Sequence, residues 1–193
     1  MAYLILGLAL WGVGHFFKRA LPDMRANMGN AGKGVAALVI LGALVLMVVG
    51  YRQAEFINLW YPPAWTVHLN NLLMLVAVFV YGMSATKGRL RGKMRHPQLI
   101  AVKIWAVAHL MVNGDLASVV LFGGLLAWAV IEVIVINRSE EWVRPEPGPA
   151  KKDILLVVIT VVMFLVITFI HNWLRVWPFP GSGDEALSFF VSR

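Results

Sequence analysis

The chain has 193 residues, 60% of them hydrophobic and 14% charged, with 17 Lys and Arg against 10 Asp and Glu. Soluble domains are about 45–50% apolar and about 25% charged, so an ordinary water-soluble fold is excluded, as is a solvated coil. The absence of Cys excludes disulfides, thiolate metal ligands, iron–sulfur clusters, a Cys nucleophile and covalent c-type haem attachment.

Apolar runs closed by charged ends predict an all-α fold, a polytopic transmembrane bundle of about six spans in one domain over residues 1–193. The opening stretch MAYLILGLALW lacks the basic segment of a secretory signal and reads as a retained first span from Ala2 to about Phe17. The next spans run from Gly34 to about Gly50 and from about Val67 to Met83. The fourth starts near Gln98 and reaches about Val112, the fifth is Leu116 to Ile136, and the sixth is Ile154 to about Trp173. Several are shorter than the roughly 20 residues that cross about 30 Å of hydrocarbon, which fits a thin membrane or helices shielded by neighbours.

Lys and Arg collect in cytoplasmic loops. Loop one holds Lys18, Arg19, Arg25 and Lys33; loop three Lys87, Arg89, Arg91, Lys93 and Arg95; loop five Arg138, Arg144, Lys151 and Lys152. The opposite side has Arg52, Arg175 and Arg193, and Lys103 lies within span four. Both termini are therefore expected on the periplasmic side of a bacterial inner membrane. Trp60, Tyr61 and Trp65 form an aromatic belt at the outer interface. The basic stretch KGRLRGKMRHP lies where the positive-inside rule wants charge, so it reads as a lipid-facing loop, with no nucleic acid partner.

Ionisable residues within spans are costly and mark function by default. His15, His68, His96, His109 and His171 all lie in spans or at their edges. Asp115 and Glu132 are the only acids of the membrane region, too few for a hydrolytic carboxylate pair or a hard-metal site. Trp105, His109 and Asn113 follow at i, i+4 and i+8 in span four, and Trp11 and His15 at i, i+4 in span one. Gly7, Gly12 and Gly14 let another helix or a flat ligand approach span one. No HxxH, HxxxH or HExxH spacing is present, so a zinc site would have to draw on several helices. A b-type haem needs only one or two axial imidazoles in an apolar slot. Structural, hydrogen-bonded histidines are an equal reading of the same pattern. Asn113-Gly114-Asp115 reads as a turn with Asp115 capping the next helix, and Glu132 as a partner for a neighbouring span.

The stretch MRHPQLIAVKIWAVAHLMVNGDLASVVLFGG from Met94 resembles the signature of the NnrU family. Upstream, His15, the Leu21-Pro22…Arg25…Gly29 pattern, Leu59-Trp60 and His68 fit the same family. It includes bacterial membrane proteins linked to denitrification and nitric oxide metabolism, and the plant zeta-carotene isomerase. The resemblance implies a haem b ligated by His109 first and His15 second. Trp11, Trp105 and Asn113 would orient these ligands, His96 would be a shared motif position, and His68 would join His109 and His171 as an alternative ligand pool. It further implies cis–trans isomerisation of a carotene-like polyene, or else handling or sensing of nitric oxide. A third class is an assembly factor for a larger oxidase or reductase. The plant enzyme's Cys three residues before the ligand histidine is Ala106 here, so no thiolate can replace an imidazole. RHP and Glu140-Glu141 also resemble, more distantly, the cofactor motif of membrane methyltransferases.

Overall fold

The structure, a computed structural model, describes residues 1–180; Arg193, expected on the outer side, lies outside them. Among the described residues there are seven α-helices: α1 (Ala2–Ala20), α2 (Pro22–Asn27), α3 (Gly29–Arg52), α4 (Thr66–Thr86), α5 (Pro97–Val112), α6 (Leu116–Ser139) and α7 (Lys151–Trp173). The six expected spans correspond to α1 and α3–α7, and most extend beyond the apolar run. Among the described residues four helices, α3, α4, α6 and α7, are long and apolar enough to cross a membrane. The other two are α1, whose last turn holds Lys18 and Arg19, and α5, whose 16 residues rise about 24 Å. These two bear the Trp–His pairs. Large apolar side chains such as Leu38 on α3, Ile131 on α6 and Phe169 on α7 are exposed. Such faces are stable against lipid tails and not against water, so the protein is membrane-embedded.

The chain divides into two compact units. The first combines Met1–Tyr61 with Asn113–Glu141, and the second combines Pro62–Val112 with the chain from Trp142 onward.

In the first unit α1 packs along α3, with α6 against both. Small residues make this closeness possible. A Cβ on Gly7 would sit 2.8 Å from the Ala43 carbonyl oxygen and the Met47 nitrogen, and one on Gly14 would sit 2.6 Å from Ile40 Cγ1. Gly12 faces only Phe16 of its own helix, so two of the three expected glycines serve the packing. The Leu21-Pro22…Arg25…Gly29 pattern has a local explanation. Proline disfavours helical backbone in the residue before it, and Leu21 leaves the helix at φ −133°. Pro22 then opens α2. Gly29 adopts φ +53°, where a side chain is strained, and its carbonyl accepts from Arg25 Nη1 at 2.8 Å.

The end of this unit at which α6 begins is pinned by polar groups. Asp115 caps α6, accepting from the Ser118 backbone N–H at 2.9 Å, as the turn reading expects. Ser118 Oγ donates to the other Asp115 oxygen. A carboxylate only accepts, so the Ser118 oxygen takes its hydrogen bond from Tyr51 O–H at 2.9 Å. The Gly114 carbonyl accepts from Leu59 and Trp60, and Leu116 N–H donates to Ile57. The extended aromatic loop is thereby tied to the turn.

In the second unit α4 packs against α5 and α7 around Val80, Met83, Ala101 and Leu156. Lys87 takes a left-handed conformation (φ 54°) at the end of α4, a turn that stops the helix. A short 3-10 turn, Arg89–Gly92, follows. The loop that carries Pro145, Pro147 and Pro149 docks here: Gly148 N–H donates to the Gly88 carbonyl at 3.1 Å, and Arg89 Nε to Asp153 at 2.8 Å.

Gly7→Leu places several heavy atoms where α3 backbone lies. It should destabilise the detergent-solubilised protein by about 1–3 kcal/mol or more, seen as a lower thermal midpoint, whereas Gly12→Leu should be tolerated.

Candidate functional site: tryptophan–histidine pairs in the membrane helices

Each unit contains one imidazole set beside an indole from the preceding helical turn. In the first, the ring centroids of Trp11 and His15 on α1 are 4.4 Å apart. In the second, Trp105 and His109 on α5 are 5.2 Å apart. The i, i+4 spacing produces both contacts, because helical side chains lean toward the turn before them.

The same spacing fixes the tautomers. His15 Nδ1 lies 2.8 Å from the Trp11 carbonyl oxygen, and His109 Nδ1 lies 2.9 Å from that of Trp105. A carbonyl has no proton to give, so Nδ1–H is the donor in each case. In the neutral ring Nε2 then bears the lone pair. His171 on α7 has the same arrangement toward Ile167, at 2.8 Å. An imidazole that gives one N–H to a carbonyl and presents the other nitrogen is in the state that ligates a metal.

In the first unit the site gains a third ring. Trp128 of α6 stands 4.6 Å from His15 and 5.4 Å from Trp11, edge-to-face at 81°. One turn further along both helices, Arg19 Nη1 donates to Glu132 Oε1 at 2.8 Å and Nη2 to Glu140 at 3.0 Å. Glu132 is buried and Arg19 is about four-fifths covered. Glu132 thus pairs with a neighbouring helix, as expected, and its partner is Arg19 of α1. Trp128 was not among the expected site residues, although Trp128 and Glu132 repeat the i, i+4 aromatic–ionisable pattern of Trp11–His15 and Trp105–His109. Glu140 is bound by Arg19, which gives half of the Glu140-Glu141 pair an electrostatic role within this unit.

In the second unit His109 and His171 have ring centroids 6.5 Å apart, so α7 brings a second imidazole to the same end as the first. His68 is exposed on the first turn of α4. His96 precedes α5, and its carbonyl accepts from Ile100 N–H at 2.9 Å. Asn113 does not continue the Trp105–His109 face, because α5 ends at Val112. Asn113 belongs instead to the turn of the first unit. Among the described residues no three His, Asp or Glu side chains gather as a metal held by side chains alone needs.

A family model described as "NnrU protein" matches residues 3–178. The chain belongs to the NnrU family. No curated protein and no solved structure shows a significant match. The NnrU match spans both units, so both Trp–His pairs and the Arg19–Glu132 bridge lie within the family domain.

Removing one member of a buried ion pair strands the other in an apolar setting, whereas removing both relieves the cost. Arg19→Met should destabilise the protein by about 3 kcal/mol, and Arg19→Met combined with Glu132→Gln should recover a large part of that loss. Equal midpoints for the single and double variants in a detergent melt would show that the pair has no such coupling.

Proposed function

We propose that this NnrU protein binds haem b through axial imidazoles drawn from His109 and His15. The observation that supports this reading is the tautomer of both rings: each gives Nδ1–H to the carbonyl of the tryptophan one turn earlier and keeps a lone pair on Nε2. The flanking indoles supply flat apolar surface of the kind a porphyrin packs against.

Bound haem iron supplies a redox-active Lewis acid that can engage the π-electrons of a polyene or a diatomic gas. The residues of this chain hold and orient that group and keep water from it. They are poorly suited to proton chemistry. Asp115 is engaged in capping α6, and Glu132 is bound by Arg19, so both acids of the apolar region have structural partners. Rotation about a double bond transfers no proton and needs no acid–base pair, so cis–trans isomerisation of a lipid-dissolved, carotene-like polyene is the reaction that best suits this inventory. The exposed apolar helix faces place the protein in the phase where such a substrate dissolves. The thirteen Lys and Arg of the odd loops support a reading in which those loops face the cytoplasm across a bacterial inner membrane.

A second arrangement is favoured by the 6.5 Å separation of His109 and His171: both axial imidazoles would then come from α5 and α7. One variant series separates the two. Purified protein supplemented with haem should show a pyridine haemochrome spectrum of the b type. His109→Ala and His15→Ala should each weaken haem binding by at least the roughly 10–100-fold that loss of an outer-shell partner alone produces, while His68→Ala keeps wild-type affinity. Loss with His171→Ala and none with His15→Ala assigns the ligands to α5 and α7. Protein that stays colourless overturns the haem reading. Turnover of a poly-cis carotene by the reduced protein supports the isomerase, and a nitric oxide shift without turnover replaces it with gas handling.

A further inference from the structure

In the second unit two cationic segments are folded onto each other. The first holds Lys87, Arg89, Arg91, Lys93 and Arg95 with no acid among them. The second, from Trp142 to Asp153, holds Arg144, Lys151 and Lys152 against Glu146 and Asp153. Three contacts join them. Arg89 Nε donates to Asp153, the neighbour of Lys152, at 2.8 Å. Gly148 N–H donates to the Gly88 carbonyl at 3.1 Å. A Cβ on Gly92 would lie 2.6 Å from the Pro145 carbonyl oxygen and 3.4 Å from Arg144 Cγ, so the stem of Arg144 lies against the backbone between Arg91 and Lys93. A Cβ on Gly88 would meet Asp153, and one on Gly148 would meet the Lys87 carbonyl. Lys87, Arg89, Lys93, Arg144 and Lys151 are exposed on the resulting surface.

Membrane orientation alone does not explain this arrangement. The positive-inside rule requires only that cations stand on one side of the bilayer, and two separate loops would satisfy it. Here like charges are drawn together against their mutual repulsion, and three glycines without room for a Cβ permit the approach. An anion on the surface would offset that repulsion. The position of the surface narrows the choice of anion. It lies where α4 ends at Thr86, α5 begins at Pro97 and α7 begins at Lys151, the level at which apolar helices meet lipid headgroups. On α7, Lys151 shares a helical face with Leu155, Val158 and Val162, and these three apolar side chains are exposed. One face thus presents a cation followed by an apolar track of about 16 Å. Trp142, with Arg144 Cζ 5.6 Å from its ring centroid, adds an aromatic residue of the kind that settles at the headgroup layer.

We propose that this composite surface binds an anionic phospholipid, its headgroup on the cations of the two segments and an acyl chain along Leu155, Val158 and Val162. The inference is independent of the haem reading, since it uses none of the same side chains.

The full chain, purified in detergent and stripped of lipid, is titrated with phosphatidylglycerol and with phosphatidylcholine of the same acyl chains, and bound lipid is counted by native mass spectrometry. Phosphatidylcholine carries the phosphate but no net charge. Phosphatidylglycerol should bind about tenfold or more tightly. Arg144→Gln combined with Lys151→Gln should cut its affinity by about tenfold or more and leave phosphatidylcholine unchanged. Lys18→Gln combined with Lys33→Gln removes the same charge from the other unit and should keep the wild-type preference. Gly92→Val alters no charge but forces Pro145 and Arg144 off the turn, so it should weaken phosphatidylglycerol binding as well. Equal affinity for the two lipids overturns the proposal. So does an equal loss in the two paired variants, which would reduce the effect to net charge, and so does a folded Gly92→Val protein with the wild-type preference. Displacement of phosphatidylglycerol by inorganic phosphate at matched concentration would show that the apolar track contributes nothing, and would overturn the assignment to a lipid.

Discussion

The hydrogen bond from a histidine Nδ1–H to the carbonyl four residues earlier is the interaction on which the account depends. Inside a membrane no water is at hand to satisfy an imidazole, and a bare N–H in hydrocarbon is costly. His15, His109 and His171 all solve this within their own helix. The solution has a chemical consequence, because it forces the lone pair onto Nε2, the nitrogen that projects away from the helix. Each of these partly buried histidines thereby has its Nδ1–H satisfied by backbone, independent of any other side chain.

The surrounding structure keeps these rings in place. Backbone-to-backbone packing at Gly7 fixes α1 along α3, and the Tyr51–Ser118–Asp115 relay fixes the start of α6. Trp128 can then meet Trp11 and His15, and one turn later Glu132 meets Arg19. The polar stripe is assembled from two helices whose individual sequences look mostly apolar. The helices bearing the Trp–His pairs, α1 and α5, are also the two that fall short of an independent apolar span. Each lies along a longer helix of its own unit, α3 for α1 and α4 for α5. Their polar and short character is thus tolerated by local packing.

Much of this was legible beforehand. The apolar runs located all six long helices, because length and charge at the ends are local properties. Asp115 as a cap was legible for the same reason. The i, i+4 indole–imidazole pairs were legible as spacing, and spacing alone also implied the ring contacts. The carbonyl partner of each Nδ1 was not named, since a backbone acceptor leaves no mark on the choice of residue. Trp128 escaped notice because its importance comes from a contact with α1, far away in sequence. Asn113 was placed on the His109 face by extending a helix that stops at Val112, where Asn-Gly takes over. Six residues of α2 also went unread, since Pro22 and Gly29 looked like loop residues, whereas they begin that short helix and separate it from the next.

Nitrogen-15 spectra of histidine-labelled protein, with the His15 and His109 signals assigned by substitution, test the tautomer directly. The account predicts neutral rings protonated at Nδ1 and bare at Nε2, with the Nε2 signals moving on addition of haem. Rings that hold their proton on Nε2 would contradict it, because a protonated Nε2 has no lone pair to offer a metal.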